Sequence, residues 1–332
     1  MMTRLGRVLY PRNRCRETLQ DRILWYFSRI SFFHNFGFAE GTLIRKRKEK
    51  SCFSCLFAHL FVTLHANIIM NMKKYILDLR VVSLTRVHQR YVLIKLTSDA
   101  ELPEMLPGQF VEVRVDASPT TFLRRPISVH FVDRKLNELW LLVAVVGDGT
   151  RHLAELRAGD TLNCVFPLGN SFCLNPPHDP ASGILLVGGG VGVAPLLYYG
   201  KWLNDQGIKP TFLLGARTSA DLLMLDEFNK YGRVCVTTED GSMGEKGFVT
   251  DHSIWAAESF TQISTCGPKP MMVAVARMAK ARGIRCEASL ENMMACGLGA
   301  CLCCVEKTTE GNLCVCKEGP VFSTERLLWN EE

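Results

Sequence analysis

The stretch Cys296–Cys304 reads CGLGACLCC, four cysteines in nine positions, and Cys314 and Cys316 bring the number between 296 and 316 to six of the chain's 14. Thiols so dense need a common partner, and three chemistries supply one. Disulfides need an oxidising compartment, and the opening residues do not have the pattern of a signal peptide. Structural zinc favours paired C-x2-C knuckles, yet only Cys301 and Cys304 make an uncomplicated pair of that kind. Four residues separate Cys296 from Cys301 and two separate Cys301 from Cys304. This C-x4-C-x2-C run, with a further cysteine beyond it, is the plant-type [2Fe-2S] spacing. The glycines within CGLGAC let a loop wrap a cluster and turn N–H groups toward its sulfurs. Cys314 and Cys316 both remain candidates for the fourth ligand.

A second chemistry is written in glycines. GILLVGGGVGVAPLLYYG ends an apolar strand in Gly188, Gly189, Gly190 and Gly192, then opens a helix with Pro195 near its first turn, where a missing N–H costs nothing. Such a turn brings backbone close to a diphosphate at the positive end of the helix; a tight turn without a ligand is the plain alternative. TCGPKPMM places Cys266, Gly267 and Pro268 at the end of a later strand, where loops of a parallel sheet converge on one crevice. Cys266 reads equally well as a small buried residue. The polar segment from Thr238 to Gly247 suits a loop around a ribose or nicotinamide, or an ordinary surface loop. RRPISV (Arg124 to Val129) sets a guanidinium, a rigid proline and a hydroxyl at the head of a strand. The planar fork of arginine bonds two diphosphate oxygens at once. GDGTRHL adds Gly149 and Thr150 in another glycine turn.

These residues need elements to carry them. At 332 residues and 47% hydrophobic content the chain has room for two ordinary domains. Its net charge of +6 is uneven: residues 1–50 hold 12 Lys/Arg against 4 Asp/Glu, leaving 27 against 29 in the rest. The near-neutral remainder argues against nucleic acid or a membrane surface as partner. Ser51 to Met70 is an uncharged run about as long as a bilayer span, but two His, an Asn, a Thr and two Ser make it a poor helix for lipid. MKKYILDLRVVS, from Met72, runs directly into a strand, so residues 1–71 read as a non-native or disordered extension. Residues 72–175 show about six short strands with Gly and Pro punctuation, the pattern of an antiparallel barrel. Residues 183–285 alternate strand and helix, the pattern of a Rossmann-like parallel sheet. Residues 286–332 form a third, small, cysteine-bearing module.

Taken in order, RRPIS and GDGT followed by GGG resemble the ferredoxin-reductase-like flavoproteins. That resemblance implies an FAD-binding barrel using Arg125, Pro126, Ile127, Ser128, Gly149 and Thr150, with Leu142, Val143 and Ala144 beside the flavin unless they are plain barrel core. It implies an NAD-binding domain using the two glycine turns. The longer words RRPIS, GDGTRHL, FPLGNSF, GGGVGVAPL, TEDGS, CGPKPMM, CGLGACLCC and CKEGPVF resemble one family within that class, the electron transfer subunits of dihydroorotate dehydrogenase B. The closing CKEGPVF element then implies Cys316 as fourth ligand beside Cys296, Cys301 and Cys304, leaving Cys303 and Cys314 spare. The resemblance further implies a cytoplasmic redox subunit of pyrimidine (UMP) biosynthesis. In it, electrons pass from the FMN of a catalytic partner subunit through [2Fe-2S] and FAD to NAD, in a heterotetramer of two chains of each kind. No acid–base residue is implied. Rival readings are the flavin/iron–sulfur subunit of a ferredoxin:NADP or sulfide oxidoreductase and, more distantly, a zinc-stabilised binding module.

Overall fold

In the computed structural model of the chain, residues 73–329 are described, apart from 117, 178, 180 and 181. The expected start at Met72, the extension before it and the uncharged run lie outside the described residues. Among the described residues no helix is long and apolar enough to cross a membrane.

The barrel strands are β1 (Tyr75–His88), β2 (Tyr91–Thr97), β3 (Phe110–Val113), β4 (Arg125–Asp133), β5 (Glu138–Ala144) and β6 (Thr161–Leu168), with the short helix α1 (Asp148–Leu153) between the last two. They close in the order β1-β2-β5-β4-β3-β6, and every neighbouring pair is antiparallel. Closure leaves no unpaired edge. The six strands match the sequence expectation; the expected GDGTRHL turn is instead the helix α1, which begins right after Gly147.

The second layer system comprises β7 (Gly183–Gly189), α2 (Ala194–Asp205), β8 (Thr211–Ala216), α3 (Leu225–Asn229), β9 (Arg233–Thr238), β10 (Glu245–Lys246), α4 (Ile254–Ala257), β11 (Phe260–Cys266), α5 (Lys269–Ala281) and β12 (Arg285–Ser289). Its sheet runs β10-β9-β8-β7-β11-β12 in parallel. The continuous apolar run of β7 follows from its central place, since Ile184, Leu185, Leu186 and Val187 are all fully buried.

Helix α2 is apolar nearly all round because it is covered twice, by the sheet and by the barrel. Its Tyr198 hydroxyl donates to the Met105 carbonyl at 2.9 Å, and Tyr199 donates to Cys173 O at 2.8 Å. From the barrel side, His130 of β4 donates Nδ1–H to Ala194 O at 2.8 Å. The strand that begins at Arg125 is thus pinned to the first turn after the Gly188–Gly192 run.

The cysteine segment adds the hairpin β13 (Val305–Thr308) and β14 (Gly311–Cys314), the single turn α6 (Val315–Glu318) and β15 (Val321–Ser323). Strand β15 pairs antiparallel with β12, becoming the seventh strand of the parallel sheet. The boundary expected at residue 286 therefore cuts through β12; the module is not separate, because its last strand completes the sheet edge. Barrel and module also interlock through Asn170. Its Nδ2 donates to Glu318 O and Val321 O, at 2.9 and 2.8 Å, and its Oδ1 accepts from Val321 N at 2.9 Å. The words FPLGNSF and CKEGPVF meet at that residue.

Candidate functional site

On the barrel, β4 presents Arg125, Pro126, Ile127 and Ser128, all partly exposed, before dipping into the core at Val129. The β4–β5 ladder ends at the Val129–Leu141 pair. Beyond it Arg125–Ser128 pair with β3 and Leu142–Ala144 with β2, but not with each other, so the two adjacent strands part here. Leu142 and Val143 are 2% and 1% exposed. Their side chains are barrel core, and a flavin beside them would meet their backbone; Ala144 alone of the three is partly exposed.

Gly149 brings α1 against β4: a β-carbon there would stand 3.4 Å from Arg125 Cδ and 3.0 Å from Thr121 Cγ2. The RRPIS and GDGT motifs are therefore adjacent. Thr150 serves the turn itself. Its Oγ1 accepts from the backbone N–H of Val146 and Gly147, both at 3.0 Å, and donates to Gly147 O at 3.0 Å. Asp148 is tied down by the hydroxyls of Ser118, at 2.6 Å, and Thr120. Those bonds hold its carboxyl down at about 2. Arg125 bonds the carbonyls of Arg124 and Leu123 at 3.0 and 3.2 Å, using donors that an incoming diphosphate would accept. Arg124 has a different task, bonding the Glu112 and Asn163 carbonyls at 3.2 and 3.1 Å and so tying β4 to β3 and β6.

The two dinucleotide turns touch backbone to backbone. A β-carbon on Gly192 would lie 2.4 Å from Gly267 Cα, and one on Gly189 would lie 2.6 Å from Met271 Sδ of α5. Gly188 packs against Leu196 and Val193 of the following helix turn. Gly190 has φ +56, the left-handed region that glycine adopts without penalty, and a β-carbon there would meet only the Tyr91 hydroxyl, 3.9 Å away. Gly189, Gly190 and Pro268 line a cavity of about 560 Å³. Cys266, next to Gly267 in the chain, is fully buried, and burial pushes its thiol well above the ordinary range, so it stays protonated. From the polar Thr238–Gly247 segment, Glu239 and Gly247 reach the same cavity. Sequence reasoning missed the barrel's contribution, Arg90 and Tyr91. An Arg-Tyr pair at a strand head carries no motif signal.

In the module, Cys304 and Cys316 are buried, Cys296 is half-buried, and Cys301 and Cys303 are exposed. Backbone N–H groups do turn toward sulfur: Gly299 N donates to Cys316 Sγ at 3.0 Å, Leu298 N to Cys296 Sγ at 3.4 Å, and Cys316 N to Cys304 Sγ at 3.4 Å. Three residues of this loop, Gly297, Gly299 and Leu302, have positive φ of +66, +80 and +58. The Leu298 N–H, helped by the Cys301 and Ala300 backbone and the Cys301 thiol, brings the Cys296 thiol down to about 6. Burial and the adjoining Cys304 thiol push Cys316 up, so ligation there would release a proton. The contacts link Cys296 with Cys301 and Cys304 with Cys316. Cys314 points its thiol at Gly299 O, 3.9 Å away. Among the described residues no three His, Cys, Asp or Glu side chains are already gathered as a metal site. The donor set of thiols with N–H groups aimed at sulfur nonetheless fits an iron–sulfur cluster.

A closed antiparallel barrel with an arginine-headed strand, followed by a glycine-turn α/β sheet, defines the ferredoxin-reductase-like class, here with a cysteine module on its last strand. Residues 291–328 match the iron-sulfur cluster binding domain of dihydroorotate dehydrogenase B, and residues 186–277 match the oxidoreductase NAD-binding domain. The chain is 36% identical over 253 residues to the dihydroorotate dehydrogenase B (NAD(+)) electron transfer subunit of Listeria monocytogenes serotype 4a, covering 75% of this chain and 98% of that one. It is 41% identical over 220 residues to the Geobacillus kaustophilus subunit of the same name, covering 65% and 84%. Among solved structures, an NADH-dependent reduced ferredoxin-NADP oxidoreductase, studied for flavin-based electron bifurcation, is similar with TM-score 0.67 and 32% identity over 76% of this chain and 90% of that one. The chain belongs to the family of dihydroorotate dehydrogenase B (NAD(+)) electron transfer subunits.

Proposed function

We propose that this chain takes electrons from a dihydroorotate-oxidising catalytic subunit and passes them to NAD⁺, in pyrimidine (UMP) biosynthesis. The partner carries FMN, and the complex holds two chains of each kind. The barrel serves FAD, the parallel sheet serves NAD, and the cysteine module on that sheet's edge serves the [2Fe-2S] cluster through Cys296, Cys301, Cys304 and Cys316. When bound, FAD and the cluster convert single-electron delivery into two-electron reduction of a nicotinamide.

The chain's own residues bind and orient. Arg125 offers its fork to the flavin diphosphate, Ser128 presents a hydroxyl on the same strand, and Gly149 gives Arg125 room. Gly189 and Gly190 let backbone approach the dinucleotide, with Gly192 and Gly267 holding the two turns in register. Cys266, buried next to Gly267, remains a neutral thiol. No side chain is assigned an acid–base step.

One observation carries the reading. Glu112 pairs with Pro126 in the β3–β4 ladder, and Gly297, next to Cys296, packs against the Glu112 side chain. The cysteine loop therefore packs on the strand next to the one that carries the flavin motif. All 11 described cysteines carry free thiols, which suits a reducing cytoplasm.

The test is purification with and without the catalytic partner. Both preparations should show flavin and [2Fe-2S] absorbance, and NADH should bleach the flavin in either. Dihydroorotate should drive NAD⁺ reduction only in the complex. Colourless protein would overturn the reading. The similarity to the ferredoxin-NADP oxidoreductase favours a second one, which would stand if dihydroorotate were inert and reduced ferredoxin donated electrons instead.

A further inference from the structure

The dinucleotide cavity has a wall that neither glycine turn supplies. Opposite Gly189 and Gly190 stand Arg90 and Tyr91, from the tip of the β1–β2 hairpin of the barrel. The Tyr91 hydroxyl lies 3.9 Å from where a β-carbon of Gly190 would be. The hairpin backbone is fixed, because Val145 N donates to Arg90 O at 2.8 Å and Arg90 N donates to His88 Nδ1 at 3.1 Å. Arg90 thus projects from a rigid base.

Its guanidinium has five N–H donors and spends one on Asp221, with Nη2 to Oδ1 at 3.0 Å. It also leans over the Tyr91 ring at 5.7 Å. Asp221 is the better anchored partner: its side chain is 19% exposed against 54% for Arg90, and its Oδ2 accepts from the Thr218 hydroxyl at 3.0 Å. His88 Nε2 stands 3.7 Å from the same carboxylate. A half-exposed cation is therefore held by a better-anchored anion, and both line the cavity that the glycine turn also lines. A dinucleotide's diphosphate, entering over Gly190, would compete with Asp221 for the donors that Arg90 has to spare.

We propose that Arg90 is a dinucleotide-binding residue, gripping the diphosphate of NAD(H) across the cavity from the glycine turn, with Asp221 as its competitor in the free site. The proposal rests on reading the cavity as the NAD site. It makes two opposite predictions from one contact. Removing the arginine weakens binding; removing the charge of the aspartate strengthens it. A purely structural ion pair would make both changes harmful.

The experiment uses the flavin-loaded full chain, with NADH as probe and the rate of flavin bleaching followed against NADH concentration. Arg90→Ala should raise the half-saturating NADH concentration about tenfold and leave the limiting rate near wild type. Arg90→Lys should recover part of the loss, and Asp221→Asn should lower the half-saturating concentration about two- to fivefold. Equal NADH affinity in Arg90→Ala and wild type overturns the proposal, as does an Asp221→Asn that binds as weakly as Arg90→Ala. Wild-type chain that binds no NADH overturns the NAD reading of the cavity instead.

Discussion

Glu112 and Gly297 meet where the barrel receives the cysteine loop: a β-carbon on Gly297 would lie 2.8 Å from Glu112 Cγ and 3.2 Å from its Oε1. Glu112 is 1% exposed, and neither carboxylate oxygen has a hydrogen-bond partner. Burial pushes its carboxyl up to about 7, against the opposing pull of Arg124 and Arg125. The acid has little room to retreat.

Gly297→Ala should therefore fail twice over. The backbone at φ +66 costs an alanine about 1–2 kcal/mol, and the methyl group meets a buried side chain. Iron per chain should fall by more than half while FAD content holds. Iron and the reduced-state electron paramagnetic resonance signal measure it; wild-type values in both would show that the loop tolerates the methyl group.

Adjacent arginines should separate function from scaffold. Arg125→Ala removes a charge-assisted fork from the flavin diphosphate and should weaken FAD binding by about 1.5–3 kcal/mol, ten- to a hundredfold or more, with little change in Tm. Arg124→Ala cuts the ties of β4 to β3 and β6 and should lower Tm. FAD affinity by equilibrium dialysis and thermal melts of both variants decide it. FAD affinity unchanged in Arg125→Ala counts against the assignment.

Motifs whose residues lie within one strand–turn unit were legible in the sequence: the Gly188–Gly192 turn, the RRPIS strand and the C-x4-C-x2-C loop each carry their geometry locally. What the chain brings together from afar was not. Arg90 lies about a hundred positions before Gly190, and no spacing rule joins a hairpin tip to a glycine turn. The membership of β15 in the parallel sheet was hidden for a similar reason, since three residues, VFS, pair with β12 across more than 30 intervening positions. Thr150 was found but its task was not. Its hydroxyl closes its own turn, which only hydrogen-bond partners reveal.

Glu287 of β12 gives a pH test of the joint between barrel and sheet. Its carboxylate accepts from Cys173 N, at 3.1 Å, and from the Ser264 hydroxyl at 2.7 Å. Burial nonetheless raises it from 4.5 to about 7, outweighing those bonds. The folded chain thus holds the proton more tightly than the unfolded one. The stability this supplies is complete below about pH 4.5 and lost as pH rises through about 7. A shift of that size corresponds to ~3 kcal/mol. Glu287→Gln cannot ionise, so the difference in urea stability between variant and wild type should move in the variant's favour by about that amount between pH 4.5 and 8. A constant difference would mean that Glu287 titrates as an ordinary surface acid.

The cysteine assignment predicts a pattern across six single substitutions. Cluster ligation requires thiolates, and serine is a harder, more basic ligand, so Cys→Ser at 296, 301, 304 or 316 should lose the [2Fe-2S] centre or shift its potential. Cys303→Ser should leave it intact, since that side chain is exposed and makes none of the sulfur contacts joining the other thiols. Cys314→Ser should also leave it intact, its thiol being turned to Gly299 O while Cys316 receives the Gly299 N–H. In the four ligand variants, dihydroorotate-driven NAD⁺ reduction by the complex should collapse while NADH still bleaches the flavin, because the flavin and dinucleotide walls contain none of these cysteines. Iron content and electron paramagnetic resonance of all six after reduction make the comparison. A signal lost in Cys314→Ser and kept in Cys316→Ser would move the fourth ligand to Cys314.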